Sequence, residues 1–206
     1  PSATRIRLSP RADVVHVSRG RTVLGQSRAG DVDPDEARHG LYVHQTRMLS
    51  RYRWTIDGET PNLSVQSPVE QHSWLAYFFV APPDCKKTPT GECNPLQKTL
   101  ELRVARVVGE GMHEDVELVN HTQIATAITL ALDADADFAA RDEIQGERKQ
   151  HGELTSNWEQ LGEREWRWSF DYEAEHPYEH QGERGVGRSL RGIALRLRAE
   201  SPATHA

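Results

Sequence analysis

A two-residue rhythm of apolar and polar side chains runs through most of this chain. Such a rhythm suits a pleated strand, whose successive side chains point to opposite faces. In residues 48–57, Tyr52, Trp54 and Ile56 alternate with Arg51, Arg53 and Thr55. In residues 165–173, Trp166, Trp168, Phe170 and Tyr172 alternate with Arg167, Ser169, Asp171 and Glu173. Both segments predict strands with one wet face. Runs at 14–17, 22–25, 63–65, 100–108, 115–119, 124–132 and 189–198 behave alike. Within 124–132, small Ala125, Ala127 and Ala131 oppose Ile124, Thr126, Ile128, Leu130 and Leu132, which predicts close approach of a second sheet.

Turn residues separate these runs at Asp57-Gly58, Gly109 to Gly111, Asn120 to Thr122 and Gly182 to Gly185, because Gly and Asn tolerate the positive φ of tight reversals. The longest predicted helix is 33–38, with Asp33 as its cap and Pro34 in the first position. It reaches about two turns at most. Residues 138–157, rich in charge and poor in large apolar side chains, predict a long solvated excursion. Roughly ten short strands and little helix predict an all-β fold, an antiparallel two-sheet β-sandwich. No Gly/Ser/Pro tract divides the chain, so residues 1–206 read as a single domain. The absence of a fixed repeat argues against a propeller or solenoid.

Composition excludes several partners. The formal net charge of −6 repels a nucleic-acid backbone on average, so no nucleic acid is expected. No apolar run approaches the roughly 18–20 residues that span a bilayer, and the longest, from Trp74, is broken by Pro82 and Pro83. No membrane partner is expected. The sequence starts at Pro1 without a leader, as a processed or excised piece would, so the compartment cannot be read from its start and stays unknown, with a cytoplasmic setting favoured. Cys85 and Cys93 flank a turn-like stretch; they could close a disulfide in an exported chain and would stay reduced in a cytosol.

Several motifs fall short of chemistry. Asp133, Asp135 and Asp137 space carboxylates as a calcium loop does, but Phe138 and Ile144 stand where that loop needs Gly and Glu. They read better as the acidic face of a strand end. His176 and His180 have the spacing of zinc ligands on a helix, yet Pro177 would disrupt that helix, so a surface loop is expected. No metal site and no cofactor are predicted. There is no phosphate-cradling glycine loop and no Gly-x-Ser-x-Gly elbow. Nothing in the spacing of the 31 acidic residues selects the carboxyl pair that glycoside hydrolysis requires, so no catalytic residue is assigned. The tripeptides at Asn62 and Asn120 fit the glycan acceptor pattern, which arises easily by chance.

Residues 39–61 carry a more specific pattern: Gly40, Leu41 and Tyr42, then Thr46 and Arg47, then Leu49, Ser50 and Arg51, then Gly58 and Glu59. This resembles the N-terminal domain of bacterial glycogen-debranching (amylo-alpha-1,6-glucosidase-like) proteins. Their Gly-Leu-aromatic element leads to Asp-Thr-Arg, Leu-Ser-Arg and a strand ending in Asn/Asp-Gly-Glu. A second block, residues 116–138, resembles the family's valine-rich strand, Asn turn at Asn120, apolar strand and terminal Asp137 and Phe138. Glu143, Gly146, Arg148 and Gly152 echo the Glu-x-x-Gly and basic residue that follow. The chain departs from the pattern at Asp142 and Gln145, and at Gln45, which replaces an Asp that could anchor Arg47.

The resemblance implies a supersandwich-like β-domain preceding a catalytic (α/α) barrel, with that downstream domain as its partner and an α-glucan as the substrate. The barrel would only be starting at Ala206, so catalysis by this piece is not expected. The side-chain chemistry of the first block suggests Tyr42, His44, Gln45 and Arg47 as a loop facing the catalytic domain or its sugar, since an aromatic face stacks on pyranose while amide and guanidinium groups bond hydroxyls. On the alternative reading, Tyr42 plugs the sandwich end and Arg47 ties down a strand. Two other functions compete. One is an autonomous carbohydrate-binding module using Trp166, Trp168, Phe170 and Tyr172, although four bulky aromatics on one strand face are usually core. The other is a structural domain that self-associates through an edge strand. The sequence leaves the oligomeric state open.

Overall fold

The computed structural model describes residues 13–80, 100–121, 125–144, 146–148 and 151–200. The Cys85 and Cys93 pair lies outside them. The fold is an all-β antiparallel sandwich. Strands β1 (Val14–Arg19), β2 (Thr22–Ser27), β3 (Gly40–Val43) and β4 (Thr46–Leu49) form one sheet in that order. Strands β6 (Asn62–Glu70), β7 (Ser73–Val80), β8 (Leu100–Val108) and β9 (Met112–Asn120) form a second. β5 (Arg51–Ile56) pairs with β10 (Leu130–Asp135), and β11 (Glu153–Gly162), β12 (Glu165–His180) and β13 (Glu183–Arg198) make a meander.

Alternation explains the layers. β1 and β2 pack on β7 and β8, burying Val17, Leu24, Trp74, Ala76, Phe78, Leu102 and Val104 between them. β13 packs on β4. A second cluster of Ala136, Phe138, Phe170, Tyr172 and Ala174 sits under β12, and Trp168, Ile193 and Leu195 join it to the first. Phe170 and Tyr172 are core, as their shared strand face predicts, while Trp166 and Trp168 are only half-buried. At Asp57-Gly58 both residues take positive φ (51° and 78°), and Ile56 and Glu59 exchange backbone hydrogen bonds across the turn.

The structure corrects five expectations. Residues 33–38 are consecutive turns, not a helix. The Asp33 carboxylate accepts from the Asp35 N–H at 3.0 Å, and the Glu36 carbonyl accepts from His39 at 2.8 Å. Side-chain capping here competes with helix nucleation, which is costly in so short a segment. Among the described residues the helix is instead α1 (Arg141–Ile144). Second, among the described residues of 124–132 strand pairing begins only at Leu130, and Ala125, Ala127 and Ala131 are exposed rather than pressed by a sheet.

Third, the predicted excursion at 138–157 is not solvated throughout. Phe138 is fully buried and stacks on Tyr172 at 5.6 Å, and β11 begins at Glu153. Fourth, His176 and His180 lie in β12, not in a loop. Among the described residues β11 pairs β12 only as far as Glu173, so the missing N–H of Pro177 breaks none of the described ladder on that side. Fifth, the β12–β13 reversal is Gln181-Gly182, with Glu183 to Gly185 already in the strand.

Candidate functional site

The β3–β4 hairpin carries the four residues singled out by sequence. Tyr42 pairs with Arg47 and Val43 with Thr46, leaving His44 and Gln45 at the tip, His44 with φ 56°. Both tip residues are exposed, but their backbone is held from two sides. The His44 N–H donates to the Arg21 carbonyl, and the Gln45 carbonyl accepts from the Arg141 N–H at the start of α1, each at 2.9 Å.

Beneath the tip, Arg47 is only 6% exposed. Its Nε donates to the Asp137 carboxylate at 3.1 and 3.2 Å, its Nη2 makes a further short contact with Asp137 Oδ2, and Nη1 reaches the His39 carbonyl at 3.5 Å. Burial alone would lower the Arg47 pKa, but the Asp137 carboxylate outweighs it and holds the pKa above the ordinary value. The anchor missing at Gln45 is thus supplied by Asp137, and Arg47 is oriented by an ion pair after all.

Tyr42 lies half-buried, its hydroxyl donating to the carbonyls of Ala37 and His39 at 3.1 and 3.0 Å. Burial pushes its phenol pKa up. Gly40 explains why the motif opens as it does. Its φ is 146°, and a Cβ there would meet the Arg47 side chain at 2.6 Å. Only glycine lets the guanidinium stem cross.

The second sequence block closes on the first. Asp137 and Phe138 follow β10, and Phe138 (φ 50°) turns the chain. Arg191 donates to its carbonyl at 2.8 Å, and Arg148 donates to the Asp137 carbonyl. Gly146 stands just beyond α1, where a Cβ would lie 3.1 Å from the Asp142 carbonyl. Leu49 is core, and buried Ser50 donates its N–H to the Asp135 carbonyl at 2.9 Å. Arg51 pairs loosely with Asp133 at 3.8 Å. Gly58 and Asn120 sit away from this junction, at the β5 turn and the end of β9.

Sequence reasoning missed a second buried polar cluster. Arg106 and Glu114 are cross-strand partners on β8 and β9 whose side chains are 3% and 5% exposed. Arg106 Nε pairs with Glu114, and its Nη1 donates to Gln26 Oε1 at 2.6 Å and to the Gly30 carbonyl. The Tyr52 hydroxyl and Trp54 indole N–H donate to Glu114 at 2.8 and 2.6 Å. Burial, reinforced by the Glu114 charge, drives the Tyr52 pKa well above its ordinary value and keeps it a donor. The signal was legible: Arg106 falls on the inward register of Leu100, Leu102, Val104 and Val108. A pocket beside it, lined by Asp31, Trp54, Thr60 and Pro61, has room for about one water and cannot take a sugar ring.

A search of curated proteins finds no match. The sequence model for the N-terminal domain of (some) glycogen debranching enzymes matches residues 17–196, which takes in both polar junctions and all but the ends of the strand framework. The chain belongs to that family, the N-terminal domain of glycogen debranching enzymes.

Proposed function

We propose that this domain is a non-catalytic accessory domain of a glycogen-debranching-type glycoside hydrolase acting on α-glucans. It packs on the catalytic domain and helps shape its active site through the β3–β4 tip. The observation that carries this reading is the pairing of an exposed His44-Gln45 tip with a buried Arg47–Asp137 clamp directly beneath it. A rigid base under an exposed imidazole and amide is how a scaffold holds polar groups for a neighbour.

The least exposed carboxylates around the two polar junctions are paired within the fold: Asp137 with Arg47, Glu114 with Arg106, and Glu143 accepting from the Ala140 N–H at 2.9 Å. The test is turnover of a branched α-glucan by the full-length enzyme carrying Gln45→Ala or His44→Ala. The reading expects kcat/KM to fall about tenfold with the melting temperature unchanged. Wild-type turnover in both variants would refute it.

A further inference from the structure

The β11–β12–β13 meander presents one face that the sandwich does not fully cover. On β11 that face carries Leu154, Ser156, Trp158 and Gln160, in register with Tyr172, Phe170, Trp168 and Trp166 of β12. Further along the same face Trp168, Ile193 and Leu195 dive into the core, but β11 overhangs it. Trp158 is 54% exposed, packed edgewise on Trp168 with ring centroids 5.9 Å apart and an interplanar angle of 70°. An indole fixed this way gives up little side-chain freedom on binding.

The chemistry around Trp158 is selective. Alternation sends Glu153, Thr155, Asn157 and Glu159 to the opposite face, so β11 itself puts no charge on this one although the chain is −6 overall. Two polar groups flank the indole. Ser156 Oγ accepts from the Trp168 indole at 2.9 Å and keeps a hydroxyl hydrogen to donate, while the Gln160 amide, braced on the Gly162 carbonyl at 3.0 Å, keeps an oxygen to accept. From Ser156 to Gln160 the strip runs about 14 Å. An uncharged aromatic plate between a hydroxyl and an amide matches the CH faces and hydroxyls of a neutral sugar chain. A protein interface of this size would be expected to bring a larger apolar area.

We infer that Trp158, with Ser156 and Gln160, forms a surface subsite for a linear α-glucan segment, separate from the β3–β4 tip. The inference rests on the α-glucan reading above and adds a second point of contact, one that holds a polymer near the enzyme. Its position on an exposed edge strand leaves the hydrophobic clusters without a structural need for Trp158, which belongs to neither.

The test is titration of the 206-residue chain with maltoheptaose, followed through the five indole N–H resonances. The subsite predicts saturable shifts at Trp158 and Trp168, with Trp54 and Trp74 still. It also predicts at least tenfold weaker binding by Trp158→Ala and a few-fold loss in Gln160→Ala at an unchanged melting temperature. No shift at millimolar sugar, or equal binding by both variants, would overturn it. So would sugar-independent broadening at Trp158 that grows with protein concentration, which would give the face to a second copy. The two proposals fail separately: turnover that depends on Gln45 without sugar binding at Trp158 removes only the subsite, and the reverse removes only the accessory role of the tip.

Discussion

Arg47 and Asp137, 90 residues apart in sequence, form an ion pair that fastens the β3–β4 hairpin to the chain leaving β10. The pair joins the two sequence blocks that carry the family resemblance, so their shared identity is a shared contact. Because Arg47 is buried, loss of its partner would strand a charge.

Asp137→Ala is therefore expected to destabilise the domain by at least ~2 kcal/mol, and Asp137→Asn by less because the amide oxygen still accepts. Urea unfolding with an unchanged slope is the check. Wild-type stability in Asp137→Ala would show that the clamp is idle.

Gly40→Ala is expected to cost clearly more than Gly58→Ala. Both residues have positive φ, but a Cβ at Gly58 meets nothing within 4 Å, whereas at Gly40 it collides with Arg47 and the Tyr42 ring. Backbone strain alone sets the Gly58 loss, about 1 kcal/mol. Thermal melting of the two variants side by side reads the difference.

The Arg106–Glu114 pair predicts strong non-additivity. Arg106→Met leaves a buried carboxylate and Glu114→Gln a buried guanidinium, each costing ~3–5 kcal/mol. The double variant removes both charges, while the amide oxygen that Glu114→Gln introduces still accepts from Tyr52 and Trp54, so it should lose less than the sum of the singles. A double-mutant cycle measures this directly, and simple additivity would contradict it.

His39 predicts a pH dependence. Burial lowers its pKa below 6.5, and its Nδ1 accepts from the Asp33 N–H at 3.2 Å, which requires the neutral ring. The unfolded chain therefore binds the proton more readily, so the contribution is fully present above about pH 6.5 and is lost as pH falls toward the lowered folded pKa. His39→Asn keeps an acceptor without titrating. The difference in stability between wild type and His39→Asn should shift against wild type between pH 7 and pH 5, and a pH-independent difference would contradict the assignment.

Much of the fold was legible because alternation is a local property. Strands β8 and β12 were visible in Leu100 to Val108 and in Trp166 to Tyr172, where every second side chain is apolar but for Arg106. β7 was hidden because Trp74 to Val80 is almost continuously apolar, although only Trp74, Ala76 and Phe78 are buried. β11 was hidden for the opposite reason: the whole strand is exposed, so no core marked one face. The candidate site was legible as a list of residues but not as an arrangement. Nothing local in the sequence pairs Arg47 with Asp137, since that contact depends on how β4 and β10 come together through Ser50 and Asp135. Arg106 was readable in principle, as a charge on an inward register, and needed only Glu114 across the hairpin to explain it.

The most direct test of the accessory role is hydroxyl-radical footprinting of the hairpin tip, comparing this chain alone with the same residues joined to the catalytic domain. His44 should be reactive in the isolated domain and several-fold protected in the joined protein, while Val186 on β13 keeps its reactivity. Equal reactivity of His44 in both forms would contradict that role.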